Sequence, residues 1–281
     1  MRHAGKEINP DNPLLVGVIN ISPESFFKGS VAETKSSLEK KIEEFNAYEV
    51  DCLDVGAMST RPIEIYGGER AGIEEEKTRV KTKLPLIMDI ATSYNVPVAI
   101  DTQYQEVAAL AIDNGVEVVN DISGLKTDEN LAGLLADTGV DVVVMATRVK
   151  PGDVCGIDET LDSLRNSLQI ADTAGIKRSK IAIDPGFGGW QGRPSTCDLD
   201  LIKNFSRLQE INLPIYVGIS RKSTIKTLGG GQYPDDRLPG SLILTQWMIN
   251  HGASIIRTHD VKETRLALNV AKTLDQLSTS S

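Results

Sequence analysis

Apolar residues along the chain collect in short, β-branched runs that stop at a polar or glycine-containing tip. Such runs occur at Leu14–Asn20, Cys52–Gly56, Val96–Thr102, Val116–Asp121, Val140–Met145, Ile181–Asp184, Leu213–Ser220 and Ser254–His259. A short run that is apolar on both faces reads as a strand buried on both sides, as in a parallel sheet. Between the runs lie segments with helical spacing: Glu33–Tyr48, Ile73–Tyr94, Gln103–Asn114, Asp158–Ala174 and Leu238–His251. Alternating strands and helices point to an α/β chain, and eight such strands in about 250 residues point to a (β/α)8 TIM barrel. The whole of residues 1–281 reads as that single domain, with its active site at the C-terminal strand ends. A doubly wound sheet is the competing architecture, disfavoured because no G-x-G-x-x-G follows the first strand.

Composition narrows the partners. A net charge of −9 argues against nucleic acid or an anionic membrane as the main partner and leaves small molecules. The three cysteines, Cys52, Cys155 and Cys197, lie far apart and form no C-x-x-C pair, so neither a disulfide framework nor a zinc site is expected. The segment Met1–Glu7 has no apolar core of a signal peptide, and no apolar run reaches membrane length. A reducing, cytoplasmic setting is the expectation.

The strand tips carry the candidate chemistry. The first ends at Asn20, whose neutral oxygen suits a hard cation such as Mg²⁺ that borrows further ligands from substrate phosphates. The loop that follows holds Phe26 and Phe27, either a lid or a cover for the barrel mouth. After the second strand, Ser59-Thr60-Arg61-Pro62 offers a hydroxyl and a guanidinium fork suited to phosphate oxygens. Asp101, Asn120, Asp121, Asp184 and the Ser220-Arg221-Lys222-Ser223 string end later strands. Any one acid there could be a helix N-cap. Together, two carboxylates, a carboxamide and an ammonium on one rim suit a planar heterocycle with N–H groups on one edge and acceptors on another, such as a pteridine or purine. On the last strand Arg257 and His259 are two apart and share a side, so with Thr60 and Arg61 they form a candidate phosphate site. His3 and His251 have no such context and read as structural.

These strings resemble the dihydropteroate synthases from Leu14 to about Leu274. The carrying motifs are Gly17-Val18-Ile19-Asn20, Ser22-Pro23-Glu24-Ser25-Phe26, Ser59-Thr60-Arg61-Pro62, Ile100-Asp101-Thr102 and Val119-Asn120-Asp121-Ile122-Ser123-Gly124. They continue with Asp184-Pro185-Gly186-Phe187-Gly188, Gly218-Ile219-Ser220-Arg221-Lys222-Ser223, Arg237-Leu238-Pro239-Gly240-Ser241 and Arg257-Thr258-His259-Asp260-Val261. The resemblance implies a Mg²⁺-assisted condensation of 6-hydroxymethyl-7,8-dihydropterin diphosphate with 4-aminobenzoate, release of diphosphate, and a homodimer. It places the pterin on Asp101, Asn120, Asp184 and Lys222, and the diphosphate on Thr60, Arg61, Arg257 and His259, with Asn20 holding the metal. It puts Phe26, Phe27 and Ser223 beside the arylamine, and makes Asp101, Asp184, Lys222 and Arg257 the catalytic set.

The chain departs from the family pattern in its loops. Glu24 and Lys28 stand where the first loop usually has Asp, Met58 where Glu precedes Ser-Thr-Arg-Pro, Ala146-Thr147 in place of His-Met, and Gly189-Trp190-Gln191 in place of Phe-Gly-Lys. Lys28, Arg148 and Arg193 would accommodate a larger or more anionic acceptor, such as a phosphorylated ribosyl aminobenzene. Two alternatives keep the ring site: a pterin-dependent methyltransferase serving a corrinoid protein, and a non-catalytic pterin-binding barrel. The Thr60, Arg61, Arg257 and His259 set argues against the methyltransferase, which needs no diphosphate site.

Overall fold

A computed structural model describes residues 2–8, 12–21, 34–58, 72–188, 190 and 192–279. Its strands are β1 (Arg2–His3), β2 (Lys6–Glu7), β3 (Leu14–Asn20), β4 (Cys52–Gly56), β5 (Val98–Asp101) and β6 (Val118–Asp121), followed by β7 (Asp141–Met145), β8 (Ile181–Asp184), β9 (Ile215–Val217) and β10 (Ala253–Thr258). All but the first two close a barrel in the order β10-β3-β4-β5-β6-β7-β8-β9, every neighbouring pair parallel. The (β/α)8 barrel read from the sequence is therefore the architecture.

Side-chain parity divides each strand between two cores. Leu14, Val16, Cys52, Ala99, Val118, Val143, Ala182, Tyr216 and Ile255 fill the barrel interior. Their alternates, among them Leu53, Val55, Ile100, Val119, Val144, Ile183 and Val217, pack outward beneath the helices. Each fully buried aliphatic side chain adds about 1.5–3 kcal/mol relative to an exposed one. Burial on both faces explains why the strands read as continuous apolar runs.

The helices among the described residues are α1 (Lys35–Ala47), α2 (Ile73–Ser93), α3 (Gln105–Asp113), α4 (Leu131–Thr138) and α5 (Gly156–Ala174), then α6 (Ser195–Lys203), α7 (Ser223–Thr227), α8 (Leu238–Ile249) and α9 (Val261–Thr279). Five match the helical spacings; α4, α6, α7 and α9 were not drawn from the pattern. Helix α1 starts with a capping box in which the Ser37 N–H donates to Thr34 Oγ1 and the Thr34 N–H donates to Ser37 Oγ, each at 3.1 Å. It then packs hard on β3: a Cβ at Gly17 would lie 2.6 Å from the Phe45 ring.

The β1–β2 hairpin carries no pattern in the sequence. Two-residue strands are too short to show alternation, and its turn depends on positive φ at Ala4 and Gly5. The Ala4 N–H donates to Asp141 Oδ2 at 2.6 Å and Lys6 pairs with Asp51 at 3.0 Å, so the hairpin sits at the N-terminal end of the barrel. His3 is buried in it, and burial pushes its imidazole down to about 4. That agrees with a structural role, as does His251, which stacks on Trp247.

One cysteine expectation is corrected. Cys155 and Cys197 form a disulfide across 42 residues of sequence, and Cys52 is free and buried. The two partners belong to segments following the adjacent strands β7 and β8, a proximity that sequence distance conceals. Among the described residues no helix is long and apolar enough to cross a membrane.

Candidate active site

Parity and register together build the site. Asn20, Gly56, Asp101 and Asn120 occupy one rung of the barrel, paired strand to strand at its C-terminal end. Each lies two residues beyond an interior position, or four, so each belongs to the inward set: Val16 leads to Asn20, Cys52 to Gly56, Ala99 to Asp101 and Val118 to Asn120. Asp184 follows Ala182 in the same way, and Arg257 follows Ile255.

At the centre, one guanidinium ties these strands together. Arg257 donates from Nε to Asp54 Oδ2 and from Nη2 to Asp101 Oδ2, the latter at 3.1 Å. Asn120 Nδ2 donates to the same Asp54 oxygen at 3.2 Å. Asp54 is fully buried and was passed over in the sequence, hidden inside the apolar run Cys52–Gly56. The signal was available: a carboxylate of inward parity within a strand otherwise apolar, since a buried charge requires a partner. Asp54 Oδ1 and Asn120 Oδ1 have no hydrogen-bond partner among the described residues, which leaves two buried acceptors at the barrel mouth.

The opposite wall is built from the ends of β8 and β9. Asp184 accepts the Gly186 N–H at 2.7 Å, and Lys222 Nζ donates to the Phe187 carbonyl at 2.6 Å. Gly188 has φ +138, and a Cβ there would lie 3.3 Å from Lys222 Cδ, so glycine meets both a backbone and a space requirement. Arg221, at φ 57, is held in this left-handed turn by contacts from its backbone and side chain alike. Its N–H donates to Ser241 Oγ, its carbonyl accepts from Arg237, and its guanidinium forms a two-pronged pair with Asp260. The turn fixes Lys222 as the N-cap residue of α7 and Ser223 as its first, half-buried residue. Ser220 Oγ donates to Asp260 Oδ2 at 3.3 Å and lies 3.1 Å from His259 Nδ1.

Burial dominates the electrostatics. It raises the Asp101 carboxyl to about 7; Arg257 opposes the rise, while Asp54 and Glu76 add to it. Asp184 is raised by burial against the pull of Lys222, and Lys222 is lowered by burial against the pull of Asp184. Burial, then Arg257, Lys41, Arg221 and Lys222, drive the His259 imidazole well below its usual value. Since Ser220 Oγ gives its proton to Asp260, the ring contact at His259 Nδ1 is a donation to Ser220 Oγ. Arg257 is held above the ordinary arginine value by Asp54, Tyr216 and Asp101 in spite of its burial.

The structure brings together Asp101, Asn120 and Arg257 through Asp54, and Asp184 and Lys222 through the β8 loop. Neither acid is an N-cap: Tyr104 caps α3, and Asp184 closes its own turn. Asp121 is structural, accepting the Ser123 and Leu125 N–H groups. Phe26, Phe27, Lys28, Thr60 and Arg61 lie outside the described residues. Arg148 pairs with Glu159 at 2.6 Å, and Arg193 pairs with Asp198 at 2.9 Å while donating to the Gly186 carbonyl. Arg148 thus pairs with the first turn of α5 and Arg193 with the first turn of α6, while Lys28 lies outside the described residues. For a metal, Asn20 offers a strand-tip oxygen, and a Cβ at Gly56 would come within 2.8 Å of it. Among the described residues no cluster of three or more His, Cys, Asp or Glu could hold an ion, so Asn20 fits only a cation that draws other ligands from substrate and water.

Comparison with known proteins agrees with this geometry. Residues 16–259 match the family described as pterin binding enzymes. The dihydropteroate synthase of Neisseria meningitidis is 33% identical over 282 residues, covering 95% of each chain. The Xanthomonas albilineans dihydropteroate synthase solved with 4-aminobenzoic acid is 30% identical, with a TM-score of 0.82 over 97% of this chain and 96% of that one. The same organism's enzyme in complex with 7,8-dihydropteroate gives 28% identity and a TM-score of 0.80, covering 97% of both chains. A barrel whose mouth gathers Asp54, Asp101, Asn120, Asp184, Lys222 and Arg257, with a family match spanning nearly all of its strands, belongs to the pterin-binding enzymes.

Proposed function

We propose that this chain is a dihydropteroate synthase, joining 6-hydroxymethyl-7,8-dihydropterin diphosphate to 4-aminobenzoate or a related arylamine with release of diphosphate. The observation that carries the reading is the polar rung at the barrel mouth. Buried acceptors on Asp54, Asn120 and Asp184 match the N–H edge of an aminopyrimidinone, and the Lys222 ammonium matches its acceptor edge. The relatives crystallised with 4-aminobenzoic acid and with 7,8-dihydropteroate support the same pair of reactants.

In the reaction the bond between the exocyclic methylene carbon and the diphosphate oxygen breaks. The arylamine nitrogen forms the new bond to that carbon and loses one proton, which passes to the departing diphosphate or to water. The electron-rich dihydropterin supports positive charge at the methylene, and the Asp101 and Asp184 carboxylates favour that charge while holding the ring. Arg257, His259, Thr60 and Arg61 would stabilise the departing diphosphate. Arg257 is pre-aimed by Asp54 and Asp101, so little reorganisation is needed as charge develops. Asn20 would hold Mg²⁺, which on binding supplies further stabilisation of diphosphate charge. Phe26, Phe27 and Ser223 would border the arylamine and limit entry of water.

The test is diphosphate release from the dihydropterin diphosphate with Mg²⁺, run with 4-aminobenzoate, with its phosphoribosylated analogue, and with neither. Release that requires 4-aminobenzoate is the expected result. Release only with the analogue would keep the chemistry and change the acceptor. Tight pterin binding without release would overturn the synthase reading in favour of methyl transfer or a silent barrel.

A further inference from the structure

We propose that the Cys155–Cys197 disulfide is a redox-responsive clasp that tightens the Lys222 side of the ring site, a role that rests on the pterin reading of that site. The bond joins the N-cap residue of α5 to the first turn of α6. Two further contacts mark the same seam. Asp200 Oδ2 accepts the Ile157 N–H at 2.9 Å and would lie 2.6 Å from a Cβ at Gly156. Trp190 seats so closely on Gly152 that a Cβ there would be 2.1 Å from the indole. The segments after β7 and β8 are thus held as one unit, and the disulfide is its covalent part.

The connection to the site runs through the next residue. Asp198 is buried, accepts the Gly188 N–H at 3.3 Å, accepts from Thr224 Oγ1 and pairs with Arg193. Gly188 lies against the Lys222 stem, Phe187 holds its ammonium, and Thr224 stands two residues after it. A carboxylate adjacent to the disulfide therefore organises the residues on both sides of the lysine. Opening the bond frees the first turn of α6 to shift, and Asp198 shifts with it.

Accessibility favours chemistry at this bond. Cys155 is exposed and Cys197 is buried, so an external thiolate attacks at Cys155 and Cys197 leaves. With a dithiol reductant the second reagent thiol then closes on the mixed disulfide. The two protein sulfurs gain two electrons and two protons, and the reagent leaves as its own disulfide. Cys52 is buried and free, and burial pushes its thiol up, so it does not compete.

The full chain, purified without reductant, should show one alkylatable thiol in denaturant and three after treatment with dithiothreitol. Titration with 6-hydroxymethylpterin, followed by fluorescence, should give a Kd about fivefold or more weaker in the reduced form. Cys155→Ser should behave as reduced under both conditions, Cys197→Ala likewise, and Cys52→Ala should keep the difference between the oxidised and reduced forms. Three free thiols in the untreated protein, or equal Kd values in the two forms, would overturn the clasp. If neither form binds the pterin, the ring-site reading fails, and the clasp is then judged by amide exchange across residues 186–200. Faster exchange on reduction supports it, and unchanged exchange removes it.

Discussion

Two buried carboxylates, Asp54 and Glu76, show how one functional group takes opposite roles. Asp54 is ion-paired with Arg257 and hydrogen-bonded by Asn120, and removing one partner of such a buried pair typically costs about 3–5 kcal/mol. Asp54→Asn is therefore expected to lower kcat/KM by on the order of 30-fold or more, because Arg257 loses its aim. Steady-state kinetics with circular dichroism would check it; unchanged kcat/KM would remove Asp54 from the site. Glu76, on α2, is fully buried and forms no ion pair among the described residues, with Thr102 as its nearest polar support. Burial raises its carboxyl from 4.5 to about 7, with Thr102 and Arg79 pulling the other way. A raised acid penalises the fold as pH rises from the unfolded value, and the penalty is complete above the folded one. Here it grows between 4.5 and about 7, to about 3 kcal/mol at most. Glu76→Gln should melt above wild type at pH 8 and converge with it near pH 5. A difference that does not vary with pH would show that Glu76 is not the titrating group.

At the level of elements, legibility followed length and burial. The barrel strands were readable because two-sided burial leaves an unbroken apolar run, and the tips Asn20, Asp101, Asn120 and Asp184 because a polar residue interrupts it. Asp54 was not, because it interrupts the run in the middle, where only parity with Cys52 reveals its direction. The β1–β2 hairpin and the five-residue α7 are too short to carry a period, and the disulfide depends on which loops become neighbours. Close packing of an element leaves a sharper mark. Gly17 lets α1 approach β3, with Phe45 and Val261 converging on the site of a missing Cβ. Both side chains are buried, so Gly17→Ala overpacks the junction and should cost about 1–3 kcal/mol. Thermal melting would register it, and Phe45→Leu on the same background should recover part of the loss. No change in melting temperature would mean that α1 has room to move.

For the whole molecule, one exposed apolar face among the described residues lies on the last two helices. Leu266, Val270 and Leu274 recur at four-residue spacing on α9 and are 49%, 62% and 60% exposed, and Ile243 on neighbouring α8 is 73% exposed. Four-residue spacing places them along one stripe of the helix, and a contiguous stripe of large aliphatic side chains marks a surface that another chain covers. We propose that a second copy of the chain covers it, as the family resemblance implies. The chain carries a net charge of −9, so two copies repel at long range, and an apolar contact is the means by which they can still associate. The homodimer implied by the family resemblance is thus a proposal with a specific surface. Light scattering at micromolar concentration should give twice the monomer mass, and Leu274→Glu should halve it without loss of the barrel's circular dichroism signal. Charge on this face opposes burial of the stripe and leaves the mouth of the barrel untouched. A wild-type chain that is monomeric at every concentration would withdraw the dimer and leave the stripe to another partner.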